Sequence, residues 1–349
     1  MEEVLAEEMK PYVGRLAPSP TGALHLGNVR TFMIAWLRAR SQGGKVIFRM
    51  EDLDHPKDKP GAAVQAIEDL RWLGFDWDEE YVQSERKDIY REALESLRAS
   101  GLVYPCVCSR RDVEAAQSAP HAGEQLYYPG TCRGRFAAWR EAKDFLAGPS
   151  DSRVSSGPRD PSSLRTPCWR FAVPDHTVVS FDDAFAGHYE QNVFETLGDF
   201  PLARDEFGAG YTLACTVDDL LMGVTEVVRG DDLLAATPAQ ILLMRELAKG
   251  FKHRVTETQR EGGNALCLCD SVLKYCHVPL VVGKDGKRLA KRHGDTRIAS
   301  YREAGKTPEE ILGFLAASCG WAAAGERVSL PDLLPRFDLG TIPHAPFMV

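Results

Sequence analysis

Two glycine-punctuated stretches carry the residue types that phosphate chemistry needs. The first, PSPTGALHLGN, covers residues 18–28 and leads from a candidate strand at residues 12–17 into a helical run. Unpaired N–H groups and a partial positive charge at a helix start suit a phosphate. His25 offers a further hydrogen bond to a phosphate oxygen. The plain alternative is a tight turn capped by a histidine. The second stretch, GKDGKRLAKRHGD, covers residues 283–295. Seven lysines and arginines between 284 and 302 face only Asp285 and Asp295. Glycines 283, 286 and 294 allow such a loop to close on a polyphosphate and stabilise charge moving to a leaving group. The alternative is a solvated basic loop.

Cysteines mark a third place. Cys106 and Cys108 form C-x-C, and Cys132 follows in YYPGTCRG. Three sulfurs and one further ligand make a tetrahedral structural zinc site. The alternative is three inert buried thiols. Cys267, Cys269, Cys276 and His277 form a second cluster whose spacing could ligate zinc. Free cysteines are the simpler reading there.

These groups need a frame. The first hundred residues alternate strand and helix: a strand at 12–17, a helix with Val29, Phe32, Met33, Trp36 and Leu37 on one face, and a strand at 46–51. Pro60 opens a helix with Val64, Ile67, Leu70 and Leu73 on one face, and Ile89, Tyr90, Ala93, Leu94 and Leu97 mark another. Such alternation predicts an α/β fold with a parallel sheet and crossover helices. On the 46–51 strand, Ile47, Arg49 and Glu51 share a face. Further strands are expected at 168–173, 178–181 and 211–216. A helix starting at Thr237-Pro238 is expected to end near Gly250, and a last one to run from Pro308 to Cys319. Residues 147–167, rich in Ser, Pro, Gly and Asp, and the polar stretch 251–276 read as insertions.

Composition narrows the class. The chain has 349 residues, 44% of them hydrophobic, with a net charge of −8. It is long enough for a sizeable core without disulfides. Its acidity argues against a general polyanion coater, but not against a nucleic-acid enzyme with a local basic surface. No apolar run approaches the ~18 residues of a membrane span, and the acidic start MEEVLAEEMK lacks a signal-peptide pattern. Nine cysteines in such a chain point to a reducing, cytoplasmic setting.

Taken together, the motifs resemble a family. PSPTGALHLGN resembles the first signature (HIGH) of the class I aminoacyl-tRNA synthetases, and KRLAKR the second (KMSKS). GRLAPSPTG, FRMEDLDHPK, WLGFDWDE and VTEVVRGDDLL followed by TPAQILL are similar to glutamyl-tRNA synthetases. The similarity covers roughly 12–110 and 168–320. Asn28 stands for the second His of the first signature; Arg288 and Ala290 replace a Lys and a Ser of the second, while Lys291 remains. The tail SLPDLLPRFDLGTIPHAPFMV resembles that of glutamyl-queuosine tRNA(Asp) synthetases, and residues 296–349 suffice for only a helix or two where a full glutamyl-tRNA synthetase carries an anticodon-reading domain.

The resemblance implies a Rossmann-like catalytic domain in two halves, residues 10–103 and 201–283. A zinc-binding connective subdomain at 104–200 would interrupt it, and 284–349 would hold the second signature and a short helical tail. It implies ATP contacts from Pro18, His25, Gly27, Asn28, Arg288 and Lys291, with His25 and Lys291 catalytic. It implies a glutamate pocket of Arg15, Leu16, Ala17, Pro18, Ser19, Glu51, Tyr211 and Arg229. Glu51 would take the ammonium and Arg15 the side-chain carboxylate. Without it, Arg49 with Glu51 reads as a salt bridge and Tyr211 as a buried sheet aromatic. It implies zinc held by Cys106, Cys108, Tyr128 and Cys132, with His121 the competitor for the fourth place. The expected activity is activation of glutamate with ATP and Mg²⁺ without tRNA, then transfer to queuosine in the anticodon stem-loop of tRNA(Asp) by a monomer. Rival readings are a shortened enzyme charging a 3′ end and a nucleotide- and zinc-binding module without transfer.

Overall fold

In the computed structural model, the described residues are 11–53, 58–116, 126–148, 165–258, 273–287, 289 and 296–349. The first unit runs β1 (Val13–Leu16), α1 (Leu26–Arg40), β2 (Lys45–Met50), α2 (Ala62–Trp72), β3 (Glu79–Val82) and α3 (Lys87–Ala99). All three strands pair in parallel with β2 in the centre. Five of the six residues of β2 are buried, as a strand covered on both faces requires. The stripe expected on α1 is its core face, with Val29, Met33, Ile34 and Leu37 fully buried. On α2, Leu70 is buried, but Val64 is 60% exposed, so the expected face is rotated toward Ala62, Ala66 and Asp69.

The middle of the chain forms β4 (Val103–Cys106), α4 (Arg110–Ala116), α5 (Trp139–Ala147), β5 (Cys168–Phe171), β6 (Val178–Asp183), β7 (Gly187–Asn192), α6 (Val193–Thr196) and β8 (Phe200–Ala203). β4, β5 and β8 make a separate antiparallel sheet. The β6–β7 hairpin falls inside the span expected as a connective subdomain, yet it pairs elsewhere. Then follow α7 (Tyr211–Leu221), β9 (Glu226–Gly230), α8 (Thr237–Thr258), β10 (Lys274–Val278) and β11 (Val281–Val282). β10 pairs in parallel with β9 on one side and with β6 on the other. The end of the chain adds α9 (Ile298–Glu303), α10 (Pro308–Ala317), α11 (Leu330–Leu333) and β12 (Phe347–Met348), which pairs with β11.

Two expectations are corrected here. Residues 211–216 are the first turns of α7, not a strand. Tyr, Thr, Cys and Val are strand-favouring types, but this helix packs against both α3 and α8. Its eight buried residues run consecutively from Leu213 to Leu220, so no single stripe shows. Likewise α8 passes through Gly250 to Thr258. A Cβ at Gly250 would meet the Ser96 hydroxyl at 2.6 Å, so this glycine serves a close approach to α3 rather than a helix end. The expected insertion at 251–276 is thus helix up to 258 and strand from 274; residues 259–272 lie outside the described residues. Most of the other, 147–167, does too.

The β1–β2–β3 sheet and the sheet of β9, β10, β6 and β7 meet where β1 runs beside β9. The Thr225 N–H donates to the Val13 carbonyl (2.9 Å), and the Val13 N–H to Thr225 Oγ1 (2.9 Å). The chain leaves β1 toward β2 on one side and returns with β9 and β10 on the other. That is a topological switch point, and in open α/β sheets ligands bind outside the carboxyl ends of the strands there.

Candidate active site and metal centre

A cavity of about 430 Å³ opens at this switch point. Its walls include Ala17, Pro18 and Ser19 after β1, His25, Gly27 and Asn28 at the start of α1, Glu51 after β2, Tyr211 at the start of α7, and Arg229 on β9. These residues, far apart in the chain, are therefore brought together. Arg15 and Leu16 do not line it. Leu16 is fully buried in the core, and Arg15 sits on β1 with Nη1 donating to the Val228 carbonyl (3.0 Å). The buried Arg15 Nε has no hydrogen-bond partner and stands 3.7 Å from Asp219.

His25 is the N-cap of α1. Its Nδ1 accepts from the N–H groups of Gly27 (3.1 Å) and Asn28 (3.4 Å), while Asn28 Oδ1 accepts from the His25 N–H (3.2 Å). The tight turn capped by a histidine is therefore present as expected from the plain reading. With Nδ1 accepting, a neutral ring carries its proton on Nε2 and remains a donor. A side chain at position 27 would meet the His25 ring at 3.0 Å, which is why glycine belongs there.

Glu51 is held by buried charges. Its Oε1 accepts from Arg49 Nη2 (3.0 Å) and from the Cys215 thiol (3.1 Å). Arg49 is completely buried and also donates to Asp219 Oδ1 (2.7 Å). The Arg49–Glu51 pair is therefore a salt bridge, with Glu51 alone of the two on the cavity wall. Tyr211 is 41% exposed at the rim, not a buried sheet aromatic. Arg229 is anchored at Nε by His277 Nε2 (3.0 Å) and at Nη2 by Thr237 Oγ1 (2.6 Å).

The segment after the basic loop lies against the first signature. The Ile298 N–H donates to the Leu24 carbonyl (2.9 Å), and the Leu26 N–H to the Thr296 carbonyl (3.1 Å). Residues 296–298 are thereby tethered beside the start of α1. Arg288, Ala290 and Lys291 lie outside the described residues.

The cysteine centre sits at the end of β4. The sulfurs of Cys106, Cys108 and Cys132 all lie within 4.8 Å of one another, with Cys108 and Cys132 at 3.6 Å. Tyr128 Oη is 3.2 Å from Cys106 Sγ and 3.6 Å from Cys108 Sγ, and it accepts from the Cys132 N–H (2.9 Å). Tetrahedral zinc with Zn–S bonds of ~2.3 Å puts its sulfurs about 3.8 Å apart. Three sulfurs and the phenol oxygen thus fit one zinc ion. Hydrogen bonds from the Cys108, Cys132 and Cys168 thiols, together with the Arg170 guanidinium, pull the Cys106 thiol down. Arg170 donates from Nε to Cys106 Sγ (3.2 Å) and lies 3.8 Å from the Tyr128 ring centre. His121 lies outside the described residues. So do Cys267 and Cys269; Cys276 is buried in the main core and His277 is bonded to Arg229 and Asp183.

Sequence reasoning missed Cys168, the register partner of Cys106. Only strand pairing reveals it. It also missed Thr21, Thr31, Asp232 and Leu280 on the cavity wall, which have no distinctive spacing.

The family described as tRNA synthetases class I (E and Q), catalytic domain, matches residues 12–268. A glutamyl-Q tRNA(Asp) synthetase of Symbiobacterium thermophilum is 43% identical over 347 residues, covering 96% of this chain and 95% of that protein. A namesake from Rhodopirellula baltica is 42% identical, covering 98% and 97%. A glutamate–tRNA ligase of Aquifex aeolicus is 36% identical, but the chain spans only 63% of its length. Among solved structures, a glutamate tRNA ligase from Elizabethkingia meningosepticum, in complex with its amino acid, superposes with a TM-score of 0.72 at 25% identity, covering 97% of this chain and 67% of that one. The chain belongs to the class I tRNA synthetases of the glutamyl and glutaminyl branch and, within it, to the family of glutamyl-Q tRNA(Asp) synthetases. It is thus a ligase-type enzyme of a class that uses ATP with Mg²⁺, an amino acid and tRNA. Among the described residues, no helix is long and apolar enough to cross a membrane.

Proposed function

We propose that the protein activates L-glutamate with ATP, without tRNA, and transfers it to queuosine at the wobble position of tRNA(Asp). A glutamate α-carboxylate oxygen attacks the α-phosphorus of ATP, and the bond to pyrophosphate breaks. A hydroxyl of the queuosine cyclopentenediol then attacks the glutamyl carbonyl, and AMP leaves. One observation carries this reading: a single cavity wall presents a carboxylate (Glu51), a guanidinium (Arg229) and a helix start capped by His25. An ammonium, a carboxylate and a phosphate need those three partners.

Glu51 takes the ammonium. Arg229 and Tyr211 take carboxylate oxygens, and Arg15, buried behind the wall beside Asp219, adds positive charge without lining the cavity. Ala17, Pro18 and Ser19 shape the wall, and Leu16 anchors that strand end in the core behind it. Pro18 is fixed by the Glu51 N–H on its carbonyl (2.9 Å), which joins the two loops. His25, Gly27 and Asn28 bind the α-phosphate, and Arg288 and Lys291 neutralise the departing pyrophosphate. Catalysis is positioning and electrostatics, with no covalent enzyme intermediate. Cys106, Cys108, Cys132 and Tyr128 hold one structural zinc, which ties the end of β4 to the turn at 128–132 and takes no part in the reaction. The enzyme acts as a cytoplasmic monomer on the anticodon stem-loop.

Glutamate-dependent exchange of labelled pyrophosphate into ATP tests the first step. Exchange without any tRNA supports the reading. Exchange that starts only when tRNA(Glu) is added contradicts it.

A further inference from the structure

The substrate-side guanidinium is supported by a buried chain of groups that the reaction does not itself use. Asp183 ends β6, His277 lies on β10 and Arg229 on β9. The side chains of Asp183 and His277 are both fully buried. His277 Nδ1 faces Asp183 Oδ2 at 2.6 Å, and the His277 backbone N–H also donates to Asp183 Oδ1 (3.0 Å). A carboxylate at that distance fixes the proton on Nδ1 and leaves Nε2 as an acceptor. Nε2 accepts from Arg229 Nε–H at 3.0 Å.

Burial, opposed by the Asp183 bond and reinforced by the Arg229 charge, keeps His277 below its ordinary value. A neutral ring is the only form that can accept from a guanidinium. Asp183 is in turn fixed by the N–H groups of Phe185 (3.0 Å) and Ala186 (2.8 Å) in the β6–β7 turn. Thr237, at the start of α8, takes Arg229 Nη2 at 2.6 Å. Two nitrogens of the guanidinium are therefore held by protein. Nη1 makes no protein hydrogen bond among the described residues, and Arg229 lines the cavity.

We infer that Asp183 and His277 are positioning residues that orient the Arg229 guanidinium toward a carboxylate of the amino-acid substrate. A long arginine side chain would otherwise pay rotamer entropy on binding. The relay removes that cost in advance and sets the plane of the fork. It also ties substrate affinity to the β6–β7 hairpin, whose turn fixes Asp183. This inference rests on the reading that Arg229 contacts glutamate.

The two amides that mimic imidazole split the relay. In His277→Gln the amide sits at the place of Nε2 and offers Arg229 an oxygen. In His277→Asn it sits at the place of Nδ1, still donates to Asp183, and leaves Arg229 Nε without its acceptor. Tritiated-glutamate binding and tRNA-free pyrophosphate exchange would be measured for wild type, both variants and Arg229→Ala, with melting temperatures as a check on folding. Losing an acceptor for a charged donor predicts a rise of about tenfold or more in the glutamate KM and Kd of His277→Asn. His277→Gln should raise them by about threefold or less, and the KM for ATP should move less than about twofold in both. Equal glutamate constants in the two amide variants, or parallel changes in both substrate constants, would overturn the relay. If Arg229→Ala leaves glutamate binding unchanged, the reading of the pocket fails instead, and the relay with it. A large loss in Arg229→Ala beside an unaffected His277→Asn would sink the relay alone.

Discussion

The cavity and the cysteine centre are built in opposite ways. The cysteine centre is local: Cys106, Cys108, Tyr128 and Cys132 lie within 27 positions of one another, on one strand end and one turn. The cavity draws on the ends of β1, β2 and β9 and the starts of α1 and α7, from Ala17 to Val281. Its charged groups are held by other buried polar groups, such as Arg49 with Asp219 behind Glu51 and His277 with Asp183 behind Arg229. The first kind of site is closed by ligands that a metal can gather. The second exists only when the whole parallel sheet has formed, and its geometry is set by groups that never touch a substrate. The two should therefore fail independently.

Metal removal tests that independence most severely. Structural zinc contributes directly to folding. Chelation, or Cys132→Ser, should abolish bound zinc, lower the melting temperature by at least ~5 °C, and leave tRNA-free pyrophosphate exchange within about threefold. Atomic absorption and calorimetry would show it; loss of exchange in step with zinc would mean that the two regions are one unit.

A backbone position makes the second test. Gly198 has φ +65°, and a Cβ there would collide with the Tyr128 carbonyl oxygen. Gly198→Ala should cost about 3 kcal/mol or more in denaturant unfolding, with lowered zinc content, because Tyr128 is displaced.

On the cavity side, Glu51→Gln removes the carboxylate facing the ammonium and leaves Arg49 with less countercharge. A loss of about a hundredfold in kcat/KM for glutamate is expected, with zinc stoichiometry untouched.

Acid sharpens the contrast further. Burial raises Asp183, but hydrogen bonds from His277, Ala186 and Phe185 outweigh it and hold the carboxyl at about 2. An unfolded Asp titrates at ~3.9. A depressed carboxyl contributes stability above the unfolded value and loses it as pH falls through the folded one. His277 is lowered by burial, so below about 6.5 the unfolded chain takes up a proton that the native chain does not, which also weakens the fold. The stability difference between wild type and Asp183→Asn should therefore shrink by about 2 kcal/mol between pH 4 and pH 2, followed by urea unfolding. A difference independent of pH would count against the buried pair.

The smallest effect belongs to the cap. Asn28→Ala removes one half of the capping box at α1 and should cost about 1 kcal/mol of stability, read by thermal melting.

How much of this was legible beforehand follows the same division. The periodic faces of α1 and α3 and the alternation of strand and helix were readable, because each buries one stripe against a sheet. Cys106, Cys108 and Cys132 stood out by spacing alone. Glu51, Tyr211 and Arg229 were legible only through the family resemblance, since nothing in their spacing joins them. Cys168, Asp183 and the support role of His277 were not legible, because strand pairing and register bring them to their partners. α7 was misread because its surroundings, not its residue types, decide its form.

The central claim concerns where the glutamate goes. Purified protein would be incubated with ATP, Mg²⁺ and labelled glutamate, together with tRNA(Asp) bearing queuosine, tRNA(Asp) lacking it, or tRNA(Glu). The account predicts label on the queuosine-bearing tRNA(Asp) alone. Label on tRNA(Glu), or on tRNA(Asp) regardless of queuosine, would contradict it.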